Sequence, residues 1–164
     1  MAAVKFIANF SIVIIAALLV GCGGPAKNSA NSPLAPNQVR ENSNSARSNV
    51  EELRLIATIP YEAEDVVWKE DQTRKKLVAV LRFSSADSSK VVAEAERLKP
   101  PEAASVSSET WFPPELIAQS EMSGDDILMG NAYAAHQFFL DQYLAGRIIR
   151  IENTDYFVLE LSAK

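Results

Sequence analysis

Residues 50–164 read as an α+β domain with a largely antiparallel sheet, about three helices and a C-terminal β-hairpin. Three observations carry that reading. Apolar runs of strand length come in neighbouring pairs, at 65–83 and at 147–161. Helical apolar stripes lie between those pairs instead of alternating with single strands. Proline and glycine punctuate the segments at short intervals. Strands grouped together, with a few helices between the groups, point to an antiparallel α+β layout.

Leu53, Leu55, Ala57 and Ile59 alternate with Arg54, Ile56 and Thr58, the period-2 pattern of a strand ending at Pro60. Val66-Val67-Trp68 and the run from Leu77 to Phe83 flank the charged stretch from Lys69 to Lys76. That arrangement predicts a hairpin over 65–83 with a solvated turn. The unbroken apolar run suggests that its second strand is central and covered on both faces.

Ser84 to Ser89 supply N-cap candidates for a helix with Val91, Val92, Ala95 and Leu98 on one face. Pro100-Pro101 stops that helix. Ala104 to Thr110 suits an edge strand. Pro113-Pro114 suits a helix start, because a first-turn residue needs no donated N–H, and predicts a short helix over 115–120.

Ser123 and Asp126 match the S-x-x-D pattern of a helix start. Asn131 then caps a predicted helix from Ala132 to Ala145, where Ala135, Phe139 and Tyr143 form one row and His136, Leu140 and Leu144 the next. Gly146 falls where a left-handed helix cap belongs. Two strands close the chain, 147–151 and 156–161. A three-residue loop, Asn153 to Asp155, would pair Ile151 with Phe157 and Ile149 with Leu159. That register sends Phe157, Leu159 and Leu161 to the core.

The chain has 164 residues, 48% hydrophobic and 23% charged, which suits one folded domain with appendages. From Glu51 onward 12 basic and 20 acidic side chains leave a net charge near −8. Such a balance argues against nucleic acid and against electrostatic docking on anionic lipid. One cysteine and one histidine exclude a disulfide framework and a Cys/His zinc site.

Residues 1–49 differ in kind. Met1 to Lys5 carries one positive charge, and Phe6 to Val20 is an apolar run of 15 residues interrupted only by Asn9 and Ser11. A membrane span needs about 20, so the run reads as the core of a secretory signal over residues 1–21. It ends in Leu19-Val20-Gly21-Cys22. These four residues resemble the lipobox of bacterial lipoproteins. The resemblance covers residues 1–22 only. It implies diacylglycerol transfer to the Cys22 thiol, cleavage after Gly21 and acylation of the new amino group, including a palmitate-type chain. Several acyl chains on one residue anchor firmly where one alone is marginal.

The resemblance further implies a cell-envelope location. Gly23, standing where enteric lipoproteins retained at the inner membrane carry Asp, leans towards the outer membrane. The domain would then face the periplasm or the outside. Of the 27 residues from 23 to 49, 20 are Asn, Ser, Ala, Pro or Gly. Cys22 to Asn49 is therefore expected to be a lipidated tether with an r.m.s. reach of roughly 30 Å.

Chemistry is sparse in the domain. His136 is the only histidine, and no H-E-x-x-H or G-x-S-x-G pattern occurs. Asp125 and Asp126 lack the spacing of a calcium loop. No catalytic residue, metal site or cofactor is expected. Trp111-Phe112-Pro113-Pro114 is the most unusual string: two aromatics beside rigid prolines can build a platform for a sugar, a peptide or a protein surface, or can close a core at a corner. Trp68 carries the same two readings. The expected function is a lipid-anchored binding or scaffolding module with an envelope protein or glycan as partner. Two alternatives stand beside it: a hydrolase using acidic residues, and a carrier of an apolar ligand.

Overall fold

The computed structural model describes residues 45–164. The signal segment, Cys22 and most of the tether lie outside the described residues. The domain is α+β, built on one six-stranded, wholly antiparallel sheet of order β1-β2-β6-β5-β4-β3. The elements run α1 (Val50–Arg54), β1 (Ala63–Asp71), β2 (Lys76–Phe83), α2 (Ser85–Glu96), β3 (Glu102–Ser107), α3 (Pro114–Ser123), β4 (Ile127–Ala134), β5 (Ala145–Ile151) and β6 (Tyr156–Ser162). A single 3-10 turn, His136–Phe138, lies between β4 and β5. Among these residues no helix is long and apolar enough to cross a membrane.

Arg47 bridges to β1. Its backbone exchanges two 2.8 Å bonds with Trp68 and covers part of the β1 edge. Asn49 then caps α1, its side chain accepting from the amides of Glu51 and Glu52. This helix and the turn that follows it stand where a strand was expected over 53–59. Leu53 and Ala57 are fully buried at the i, i+4 spacing of a helix face, whereas Leu55 is 74% exposed. The period-2 alternation was real, but the cap at Asn49 and the acids of the first turn favour helix.

The β1–β2 hairpin forms as the pattern predicts, with a loop at 72–75. Ser84 caps α2 by accepting from the Asp87 amide, and Val91 and Ala95 face the sheet. α2 carries the chain from β2 to the far edge, where β3 begins. Strands β3 to β6 then meander back until β6 pairs with β2. Pro114 occupies the first turn of α3, and Gly124 closes that helix in the left-handed conformation.

Three expectations after α3 are corrected. Ser123 and Asp126 do not start a helix: Ser123 ends α3, and Asp126 turns the chain into β4 with φ of 51°. Nor do Ala132 to Ala145 form a helix. Asn131 to Ala134 lie within β4, His136 opens the 3-10 turn, and Ala145 and Gly146 already belong to β5. Pairing with the Ile-rich β5 outweighs the helical propensity of the alanines. The last hairpin is also one residue out of the expected register. Arg150, not Ile151, stands opposite Phe157, and Ile149 opposite Val158.

Both faces of the sheet are covered, which explains that slip. On one face Trp68, Leu77, Phe83, Ile148, Phe157, Leu159 and Leu161 pack under α1, α2 and the 3-10 turn. On the other Val80, Leu128, Ile149, Ile151 and Val158 pack under α3 and Phe112. A one-residue shift exchanges the faces, and it loses burial only when one face is wet. Here either register buries the isoleucines. The chosen one is set by the 152–155 loop, where the amide and hydroxyl of Thr154 both donate to the Ile151 carbonyl and Asn153 takes a φ of 60°.

Candidate functional site

The four residues of the Trp111 string divide between core and surface. Phe112 is 4% exposed and closes the core beneath α3. Trp111 is half-buried, its ring edge-on to Phe112 with centroids 4.7 Å apart. Its indole N–H donates to Glu109 Oε2 at 2.6 Å. Packing on one side and a hydrogen bond on the other hold the ring in one orientation. Pro113, buried, and Pro114 stiffen the backbone that follows.

Trp111 lines a cleft of about 770 Å³ together with the β1–β2 hairpin. Lys69, Arg74 and Lys76 face it, and so do Glu70, Asp71 and Glu109. Three cations and three carboxylates therefore interleave. Each carboxylate already accepts a bond: Glu70 from the Tyr143 hydroxyl at 2.7 Å, Asp71 from the Arg74 amide at 2.9 Å, and Glu109 from Trp111. A balanced wall of donors and acceptors beside one fixed aromatic suits a neutral ligand rich in hydroxyls or amides.

Trp68 lies elsewhere. It is 1% exposed, donates its indole N–H to the Asn49 carbonyl at 3.0 Å, and sits beneath the Arg47 guanidinium, 4.9 Å from the ring centroid. No face of its ring is open to a ligand. The structure thus keeps Trp111 and Phe112 in contact and sets Trp68 apart on the other face of the sheet, and of the three only Trp111 reaches solvent. Cys22 lies outside the described residues. His136 is exposed, and among the described residues no three His, Cys, Asp or Glu side chains group as a metal site.

A second cleft, of about 480 Å³, opens at the other end and on the other face of the sheet. Asn131 and Tyr133 of β4 and Arg150 of β5 line it with the 152–155 loop. Sequence reasoning missed this group, because it placed Asn131 and Tyr133 on a helix. Only the cross-strand pairing of Asn131 with Arg150 reveals it. No family model matches the chain, and no curated protein or solved structure is significantly similar to it.

Tyrosine–carboxylate pairs tie the sheet to its surroundings. Burial, and then its bond to Glu70, push the Tyr143 hydroxyl well above the ordinary tyrosine range. Burial and the 3.0 Å bond to Asp65 push Tyr156 up to about 12. An unfolded tyrosine loses its proton near pH 10. The folded state thus holds the Tyr156 proton more tightly. Its stabilising contribution is complete below about pH 10 and is lost as pH rises through about 12. Tyr156→Phe is expected to make the fall in unfolding free energy across that window shallower, as read from urea titrations at a series of alkaline pH values. An unchanged slope would show that Tyr156 titrates alike folded and unfolded.

Proposed function

We propose that the protein is a lipid-anchored envelope lipoprotein whose acidic domain binds a partner rather than catalysing a reaction, presenting the Trp111 cleft to an envelope protein or glycan. Lipid on Cys22 would hold it to the membrane, the outer one in a two-membrane envelope, with the domain at the end of the tether. The observation that carries the binding role is the single half-exposed tryptophan, immobilised by Phe112 and Glu109 on the wall of a charge-balanced cleft. A rigid aromatic gives a partner contact area at little entropic cost. The two clefts are walled largely by charged and polar side chains, which offer an apolar cargo little to pack against.

The test is crosslinking in intact cells, followed by affinity capture and mass spectrometry, with native, Cys22→Ala and Trp111→Ala baits in parallel. One partner is expected with the native bait, strongly reduced by Trp111→Ala. Cys22→Ala is expected to move the protein from the membrane to the soluble fraction. Equal capture by native and Trp111→Ala baits would remove the cleft from the proposal. Absence of any reproducible partner for an abundant, lipidated bait would remove the scaffold role.

A further inference from the structure

The second cleft gathers polar groups that the fold leaves with little to do. Asn131 and Arg150 stand directly opposite each other on β4 and β5. Opposed antiparallel side chains lie about 5 Å apart at Cβ, so amide and guanidinium share one patch. Tyr133 is two residues along β4, hence on the same face. Neither the Tyr133 hydroxyl nor the Asn131 amide has a hydrogen-bond partner among the described residues.

Arg150 is held but not used up. The Phe157 ring lies 6.0 Å below its guanidinium, and one Nη2–H reaches Asp155 Oδ1 at 3.4 Å, a long bond. The other carboxylate oxygen of Asp155 accepts from Ser85 Oγ at 2.8 Å, which fixes it against the first turn of α2. Glu152 adds a second carboxylate to the lining. Among the described residues the cleft therefore offers one cation with most of its five donors unused, two carboxylates in the same lining, an unbonded amide and an unbonded hydroxyl.

That charge pattern selects a ligand class. A simple anion such as phosphate would meet Asp155 and Glu152 as well as Arg150. A cation would meet Arg150. A sugar would find no aromatic face, since Tyr133 is 8% exposed. A molecule carrying carboxylate and ammonium side by side meets the guanidinium, the amide and both carboxylates. About 480 Å³ accommodates a molecule of that size.

We propose that this cleft is a binding site for a small zwitterion, the α-amino-acid group of a free amino acid, whose carboxylate is taken by Arg150 and Asn131 and whose ammonium is taken by Asp155 and Glu152. The site is independent of the Trp111 cleft, which lies on the opposite face and at the opposite end of the sheet.

The test is calorimetric titration of the full-length lipidated protein in detergent. The probes are alanine, lysine and glutamate in both enantiomers, then the N-acetyl and carboxamide derivatives of whichever binds. N-acetylglucosamine and inorganic phosphate are run alongside. At least one amino acid is expected to bind, and blocking either its amine or its carboxylate is expected to weaken it about tenfold or more. Arg150→Gln should weaken it by at least about tenfold, and Arg150→Lys should restore only part, because lysine cannot grip a carboxylate with two parallel N–H groups. Should Arg150→Gln fold poorly, the exposed Asn131→Ala serves instead, with roughly a three- to tenfold loss. Trp111→Ala should leave amino-acid binding unchanged. The proposal is overturned if no amino acid binds, if the blocked derivatives bind as well as the parent, if phosphate or N-acetylglucosamine binds in their place, or if neither the Arg150 nor the Asn131 variants alter binding. In those cases the Arg150–Asp155 pair serves only to brace the β5–β6 hairpin.

Discussion

Trp68→Ala is expected to cost the domain about 3–5 kcal/mol, close to the whole stability of a marginal domain. Trp68 is among the largest fully buried side chains, 1% exposed on the face that packs under α1. Removing it leaves a cavity under α1 that β1, paired along its length with β2, has little freedom to collapse. Two further contacts go with the ring. The Asn49 carbonyl loses its 3.0 Å donor, and Arg47 loses the aromatic face 4.9 Å from its guanidinium. Both residues belong to the segment that leads into α1. The substitution should therefore do more than lower the midpoint of urea unfolding. Amide exchange at Arg47, protected now by its bond to the Trp68 carbonyl, should accelerate more than exchange in β5 and β6. A midpoint loss below about 1 kcal/mol would show that the packing around Trp68 is loose, contrary to its burial.

What could be read from the sequence followed from how local its causes are. The β1–β2 hairpin, α2 behind Ser84 and α3 behind Pro113-Pro114 are each determined by residues within a few positions of one another. Caps, prolines and short-range alternation act at that range. β4 is different. Ile127 to Ala134 contains Gly130, Asn131 and two alanines, and nothing local makes it extended. It becomes a strand because β3 and β5 flank it, pairings that bring together residues up to about 30 positions apart. The same nonlocality hid Asn131 and Tyr133 as neighbours of Arg150. Trp111 was legible as an unusual residue, since aromatics beside two prolines stand out. Its separation from Phe112, one into the core and one onto a cleft, needed the placement of α3.

Gly146→Ala is the second substitution expected to act strongly, and it turns on the same reassignment of β4 and β5. As the left-handed cap of a helix, Gly146 would tolerate alanine at about 1–2 kcal/mol. In β5 it pairs with Leu161 at a φ of 148°, and an added Cβ would stand 2.1 Å from the Glu160 carbonyl oxygen and 2.9 Å from the Leu161 Cα. Both are backbone atoms of the neighbouring strand, so no side-chain rotation relieves the clash. Strain at the dihedral and overpacking each cost roughly 1–3 kcal/mol, and here they add to about 3 kcal/mol or more. Gly124→Ala is the matched control. Gly124 has a φ of 82° at the end of α3, and nothing lies within 4 Å of its missing Cβ. It should lose only the left-handed penalty, about 1–2 kcal/mol. The two variants, compared by chemical unfolding, thus separate backbone strain from steric exclusion between β5 and β6. Equal losses would mean that β5 moves away from β6 to admit the methyl group, in which case the Arg147–Glu160 pair, 2.6 Å apart beside it, should loosen as well.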